Sequence, residues 1–131
     1  MTDDKPTPPQ TSLLQYKRSD NFSSTYANNA FFEGSAWDLK IIFGQLDQSG
    51  DQPVIKQHLA VTVPWAQAKL ALYYLRLQIE AMEIQSGKIA IRSDLIPPEP
   101  PPLTPEQENI PGSIELRELV LKLREEFLAS L

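Results

Sequence analysis

Side chains that could perform chemistry are few in this 131-residue sequence, and they lie far apart. The chain has one histidine, His58, and no cysteine. Histidine is the usual proton carrier near neutral pH, and zinc sites need several histidine, cysteine or carboxylate ligands. His58 follows Lys56 on the polar side of a predicted strand, so we interpret it as a solvent-facing side chain.

The carboxylates give no stronger signal. Glu33 and Asp38 lie near a predicted hairpin and could form an acid–base or hard-cation pair, but surface charge is the simpler interpretation. Glu80 and Glu83 share one ridge of a predicted helix with basic residues, which is typical of a solvated row of ion pairs. No glycine-rich phosphate-binding loop is present. We therefore predict no catalytic residue, no metal, no cofactor and no enzymatic activity.

Composition narrows the classes of partner. The formal net charge is −5 and the isoelectric point is about 4.8, and no basic patch offsets it, so nucleic-acid binding is not expected. No apolar run approaches the 18 residues of a membrane span, and no export leader is evident. The absence of cysteine suits a reducing compartment. These features predict a cytoplasmic protein without membrane partners.

The chain is organised around residues 64–85, a run that lacks internal glycine and proline. At helical spacing its apolar residues form two stripes on roughly opposite sides. The leucine–methionine stripe consists of Ala68, Leu72, Leu75, Ile79 and Met82. The tyrosine stripe consists of Leu70, Tyr73, Leu77, Ala81 and Ile84. A helix with two apolar sides must be covered on both, so we predict an interface that includes Leu70, Tyr73, Leu77 and Ile84.

Three strands are predicted before this helix, at residues 25–33, 37–46 and 54–63. The turn chemistry around Ser49 and Gly50 joins the last two as an antiparallel hairpin. Gly44 inside a strand pattern predicts a bulge or a close backbone approach. Alternation places one apolar set on a single side of the third strand, interrupted by Gln57: Ile55, Leu59, Val61 and Val63.

The predicted fold class is α+β, an antiparallel meander of three or four strands with the long helix packed across one face. Residues 88–92 would form the fourth strand. The domain organisation predicted from composition is a disordered tail at 1–24, a core domain at 25–94, a proline-rich linker at 95–112 and an amphipathic helix at 113–131. A helical turn with a capping box is predicted at Thr104, and Ser113 is predicted to cap the last helix.

The C-terminal helix carries one narrow apolar stripe whose members are spaced by three and four residues, the pattern of a seam against another helix. This C-terminal stripe consists of Leu116, Val120, Leu123, Phe127 and Leu131. Five prolines among residues 97–102 favour a stiff polyproline II spacer, with a ligand for a proline-binding groove as the less favoured interpretation. We predict an interaction helix; the alternative is a helix that folds back onto the second stripe of its own chain.

Residues 26–91 resemble a bacterial family known as domain of unknown function 3467. The resemblance is carried by Tyr26-Ala27-Asn28, Trp37-Asp38-Leu39, Phe43-Gly44, Pro64, Ala68-Lys69-Leu70, Glu83, Gly87 and Ile89. Family members usually have serine before the helix proline, where this chain has Val63. The resemblance implies a small cytosolic domain without an established activity, and it transfers no functional residue.

Two classes of function follow from the two-sided helix. The first is a non-catalytic homo-oligomeric or scaffold protein that uses the long helix and the C-terminal helix as interfaces to a second copy or a protein partner. The alternative is a binding module for peptides or extended chains, by loose analogy of fold with the SecB-like export chaperones.

Overall fold

A computed structural model describes residues 14–131. Its helices and strands are β1 (Asn29–Gly34), β2 (Asp38–Asp47), β3 (Val54–Pro64), α1 (Trp65–Ser86), a 3₁₀ turn (Ser93–Leu95), α2 (Pro105–Glu108) and α3 (Ser113–Ala129). The chain divides into two compact units, Met1–Trp65 and Ala66–Leu131. The α+β class is confirmed. Part of the predicted tail, residues 1–13, lies outside the described residues; residues 14–24 form neither helix nor strand.

The first unit contains an antiparallel sheet in the order β1-β2-β3. The predicted fourth strand is wrong, because residues 88–92 form no strand. In the second unit, the Ile89 amide donates to the Glu83 carboxylate at 2.9 Å, which attaches this segment to the end of α1. Glu83 therefore binds backbone, whereas Glu80 does pair with Arg76 at 3.1 Å.

Strand β1 begins at Asn29, four residues later than predicted. The cause is Asn28, whose side-chain oxygen accepts the Leu46 amide at 2.9 Å. An asparagine side chain can imitate a backbone carbonyl in this way. The Asn28 amide still donates to the Gly44 carbonyl at 3.0 Å, and the regular ladder starts with the next residue.

The β1–β2 turn is closed by Ser35. Its amide donates to the Asp38 carbonyl at 2.9 Å, and its hydroxyl accepts the amides of Trp37 and Asp38 at 3.1 Å each. Trp37 was predicted as the first residue of β2, but it lies in this turn with 85% of its surface exposed. The Trp65 indole donates to the Ser35 carbonyl at 2.9 Å, which fixes the end of β3 against the same turn.

The predicted bulge at Gly44 is confirmed, and it changes which side chains share a face. Phe43 pairs with Leu59 and Gly44 pairs with Gln57, so His58 is an extra residue in β3. Paired residues in an antiparallel ladder point to the same side of the sheet. Ile55 pairs with Leu46 and so lies on the opposite face from Leu59, which corrects the predicted single apolar set and explains the apparent interruption at Gln57.

Gly44→Ala is expected to destabilise the protein by about 1–3 kcal/mol, the usual cost of forcing an extra methyl group into a packed site. A Cβ atom there would lie 2.7 Å from the Lys56 carbonyl oxygen and 3.1 Å from the Gln57 Cα, both backbone atoms. Gly50→Ala is the matched control, because the nearest atom is 4.0 Å away. Urea unfolding of the two variants measures the difference; equal midpoints would contradict the close approach.

The connection from β2 to β3 is held by Asp47. Its carboxylate accepts the Ser49 hydroxyl at 2.6 Å and the Ser49 amide at 2.9 Å, and it pairs with the Lys56 ammonium at 3.0 Å. These contacts, those of Ser49 foremost, hold the pKa of Asp47 well below its ordinary value. Hydrogen bonds and one ion pair of the Asp47 carboxylate therefore stabilise the hairpin predicted around Ser49 and Gly50.

Helix α1 follows β3 without an intervening loop, since Pro64 is still paired with Asp38 in the ladder. The helix ends as predicted at Gly87, which adopts a left-handed conformation with φ of 84°. The Gly87 amide donates to the Glu83 carbonyl at 2.9 Å, a glycine stop that other residues adopt only with strain.

The predicted capping box at Thr104 is confirmed, with Gln107 as its reciprocal partner. Ser113 does not cap α3 as predicted. The N-cap residue of α3 is Gly112, whose φ is 83°. The Ser113 hydroxyl donates instead to the carbonyls of Gln107 and Ile110, at 2.6 and 2.8 Å, and this ties the start of α3 to α2.

Candidate protein–protein interfaces

The predicted tyrosine stripe of α1 is exposed along its length. Leu70, Tyr73 and Leu77 are each at least half exposed, and Ile84 is 86% exposed. The Tyr73 ring stands edge-to-face against Tyr74, with centroids 5.2 Å apart, so the two rings form one contiguous aromatic area. Tyrosine in such a position is typical of interface centres.

The leucine–methionine stripe on the other side of α1 is exposed as well. Leu72 is 65% exposed, and Leu75, Ile79 and Met82 are also exposed. The Arg76–Glu80 ion pair lies on the polar ridge between the stripes. Both sides of the helix thus present apolar surface, as the residue spacing predicts.

The sheet adds a third apolar surface that the sequence pattern showed only in part. The pairings place a group of apolar side chains on one side, and we call these seven the apolar sheet face: Phe32, Leu39, Ile41, Phe43, Leu59, Val61 and Val63. Phe32 pairs with Ile41 and belongs to this face, although poor alternation in β1 concealed it. All seven are exposed or half-buried.

The proline run, predicted to be a spacer, lies along α3. We call residues 97–103 the proline arm. The Arg124 guanidinium donates to the Pro97 carbonyl at 2.9 Å, and that of Arg117 donates to the carbonyls of Pro101 and Pro100 at 3.1 and 3.3 Å. Polyproline II has no internal hydrogen bonds, so its carbonyls are free to accept these donors.

The spacing of the two arginines matches the arm. Seven residues of α-helix rise about 10.5 Å, and three to four polyproline residues span about 9–12 Å. Higher numbers on the helix meet lower numbers on the arm, so the two segments run antiparallel. The arginine side of α3 is half-buried, including Leu121 and Leu128.

The arm leaves the predicted C-terminal stripe largely open. Leu116, Val120, Leu123 and Leu131 are exposed, and Phe127 is half-buried. Helix α3 contacts α2 but shares no packed interface with α1. The structure therefore brings the predicted residues of each helix together on that helix, and it does not bring the two sets to one another.

No hydrophobic side chain anywhere between residues 14 and 131 is buried. The one buried residue in that range is Gly44, at the bulge. Native domains usually enclose a contiguous apolar core, and surface patches on monomers are usually limited to a few hundred Å². Both units therefore present more apolar surface than a folded monomer usually does.

Residues 14–131 contain no group of three or more histidine, aspartate or glutamate side chains placed to hold a metal ion. His58 is exposed. The Asp38 carboxylate accepts the Ser35 hydroxyl at 3.0 Å, so it belongs to the turn. Within the same range, no helix has the length and apolar character needed to cross a membrane.

Comparison with known protein families, with curated proteins and with solved structures gives no match for this chain. The resemblance to the domain of unknown function 3467 family stays a prediction.

Proposed function

We propose that this protein is a non-catalytic homo-oligomer or scaffold, with the two stripes of α1 and the C-terminal stripe of α3 as its contact surfaces. The observation that carries the proposal is the lack of any buried hydrophobic side chain in the described chain. We also propose a cytoplasmic location, on the composition and the resemblance given above, and protein rather than nucleic-acid or membrane partners.

The energetics favour association. Ordering a residue costs about 1–2 kcal/mol of backbone entropy, and burial of a large apolar side chain contributes about 1.5–3 kcal/mol. A chain whose leucines, isoleucines and tyrosines stay in water gains little of the free energy of apolar burial. Covering both sides of α1 recovers this free energy, and one chain presents four apolar surfaces at once: the two stripes of α1, the apolar sheet face and the C-terminal stripe.

A second copy is the simplest partner. Symmetric dimers are the commonest soluble oligomers, and their interfaces are made from the same patch on both subunits. The tyrosine stripe is suited to this role because it is apolar for four turns and its charged neighbours, Lys69, Arg76 and Glu80, lie on the adjacent ridge. Two copies would therefore meet through apolar side chains, with charges at the rim.

The thermal midpoint should depend on protein concentration. Association stabilises the folded state by mass action, so each tenfold dilution should lower Tm by about 3–6 °C for a folding unit of this size. Circular dichroism melts over a hundredfold range of concentration measure the shift. A midpoint that does not move would contradict a homo-oligomer.

The groove between the proline arm and α3 favours one second candidate, a module that binds extended apolar peptides. Its walls include Pro100, Pro101, Leu103, Leu116 and Val120. This candidate predicts a folded monomer that binds such a peptide through the groove. The two functions are separated by mass, because the first requires a folded species larger than one chain.

A further inference from the structure

Strand β3 is a long edge strand that carries the usual protecting residues only outside residues 57–63. Within the described residues it pairs with β2 alone, and it is 11 residues long. Proteins normally block such edges with charges or proline. The one charged side chain of β3, Lys56, is paired with Asp47 of the same chain at 3.0 Å, and residues 57–68 contain no formal charge.

Two hydrogen bonds show which backbone groups of β3 point outward. The carbonyls of Asp38 and Gly44 accept amides from the β1 side, from Ser35 and Asn28. Backbone groups alternate in direction along a strand, so even-numbered residues of β2 face β1 and odd-numbered residues face β3.

The direction of the β3 groups follows from their partners in β2. Ile41 pairs with Val61, and Phe43 pairs with Leu59. Val61 and Leu59 therefore direct their amides to β2, while Ala60 and Thr62 direct theirs away from the sheet. Pro64 falls in the same outward series. A proline is tolerated there because its missing amide costs the ladder nothing.

We propose that residues 59–63 of β3 pair antiparallel with the same residues of a second copy, which joins two three-stranded sheets into one of six strands. This inference rests on the proposed homo-oligomer and identifies a contact within it. The bulge at His58 ends the regular edge on one side, and α1 begins just beyond Pro64 on the other.

The edge is compatible with itself. Leu59, Val61 and Val63 lie on the apolar sheet face, so antiparallel pairing would make that face continuous across both subunits. Like charges directly opposite one another destabilise a pair of strands, and residues 59–63 carry no formal charge. A foreign peptide would pair here only if its sequence were apolar and uncharged at the same five positions. A second copy has these residues already and is present at the concentration of the protein itself.

Pairing of the two β3 edges determines how the copies align, but most of the buried interface area must come from other surfaces. Stable interfaces bury about 1,200–2,000 Å² in total, which is more than a five-residue strand pair supplies. The apolar sheet face and the tyrosine stripe must contribute the remainder. An oligomer could therefore lack the β3 pairing and still be held together by the other surfaces.

Amide hydrogen exchange of the full-length protein, followed by NMR, tests the pairing. In the oligomer, the amides of Ala60 and Thr62 should exchange within about tenfold of the rates of Leu59 and Val61. Fast exchange at Ala60 and Thr62 in an oligomer of confirmed mass would overturn the edge contact and leave the proposed function standing. A folded monomer at all concentrations would overturn both.

A pair of substitutions provides the matched control. Thr62→Pro removes an outward amide and leaves the bonds to β2 intact, so it should weaken association at least about tenfold with the sheet retained. Thr62→Val keeps the amide and should associate like the unmodified protein. Equal association of the two variants would overturn the proposal, as would protection of Ala60 that appears in a monomer only when an extended peptide is added.

Discussion

Leu77→Asp is expected to give a smaller folded species, whereas Leu72→Asp is expected to unfold the chain. Leu77 lies on the tyrosine stripe, which we assign to a contact between folded subunits. Leu72 lies on the leucine–methionine stripe, which is exposed in the single chain and which we assign to the contact that keeps the chain folded. A charge buried without a partner costs several kcal/mol. That cost falls on association in the first variant and on folding in the second.

Circular dichroism and light scattering distinguish these outcomes, because one measures helix content and the other measures mass. Gln78→Asp is the control; Gln78 lies on a polar ridge between the stripes, and the variant should keep both the helix and the mass. If both leucine variants give the same unfolded chain, the assignment of the two stripes to different contacts fails. If both keep the original mass, neither stripe is an interface.

Removal of all residues after Ile96 is expected to leave a folded protein that has lost a step in oligomer size. The truncation removes the proline arm and α3 together, and the structure shows that these two segments bind each other through Arg117 and Arg124. Burial of the C-terminal stripe against a partner would contribute about 1.5–3 kcal/mol for each large side chain before entropy is subtracted.

Leu123→Asp in the full-length chain is the companion variant. It charges the middle of the C-terminal stripe but leaves the proline arm and its arginine contacts in place, so it should reproduce the loss of mass. A truncated chain that precipitates or melts far lower would show that α3 covers α1 within one subunit, the arrangement that the sequence left open.

The elements with strong periodicity were predictable from the sequence. Helix α1 was placed within one residue of its observed ends, because 22 residues without glycine or proline alternate between two apolar sides. The β2–β3 hairpin was predictable from its turn residues. Gly44 signalled the bulge, and Gln57 on an apolar side was the second sign, although their joint consequence for Ile55 was missed.

The errors arise where a side chain replaces backbone or where distant residues meet. Asn28 completes the ladder with its amide oxygen, and no pattern distinguishes it from a strand residue. Glu83 binds the Ile89 amide and so removes a segment that alternates like a strand. The contacts of Arg117 and Arg124 join residues 16 to 27 positions apart, beyond the reach of local periodicity.

The predicted interface residues are on the surface, as spacing alone suggested for Leu70, Tyr73, Leu77 and Ile84. Spacing reports which residues share a side of a helix, and it carries no information on what covers that side. The apolar sheet face was underestimated for a related reason, because Phe32 joins it only through the register with β2.

The most direct test is the mass of the folded species, measured by sedimentation equilibrium on the full-length protein at micromolar concentration. The chain itself is 14.8 kDa. We expect a mass of at least twice this value. On dilution, the mass and the helical circular dichroism signal should fall together. A stable, fully folded species of one chain's mass at every concentration would contradict assembly as the role of the exposed stripes.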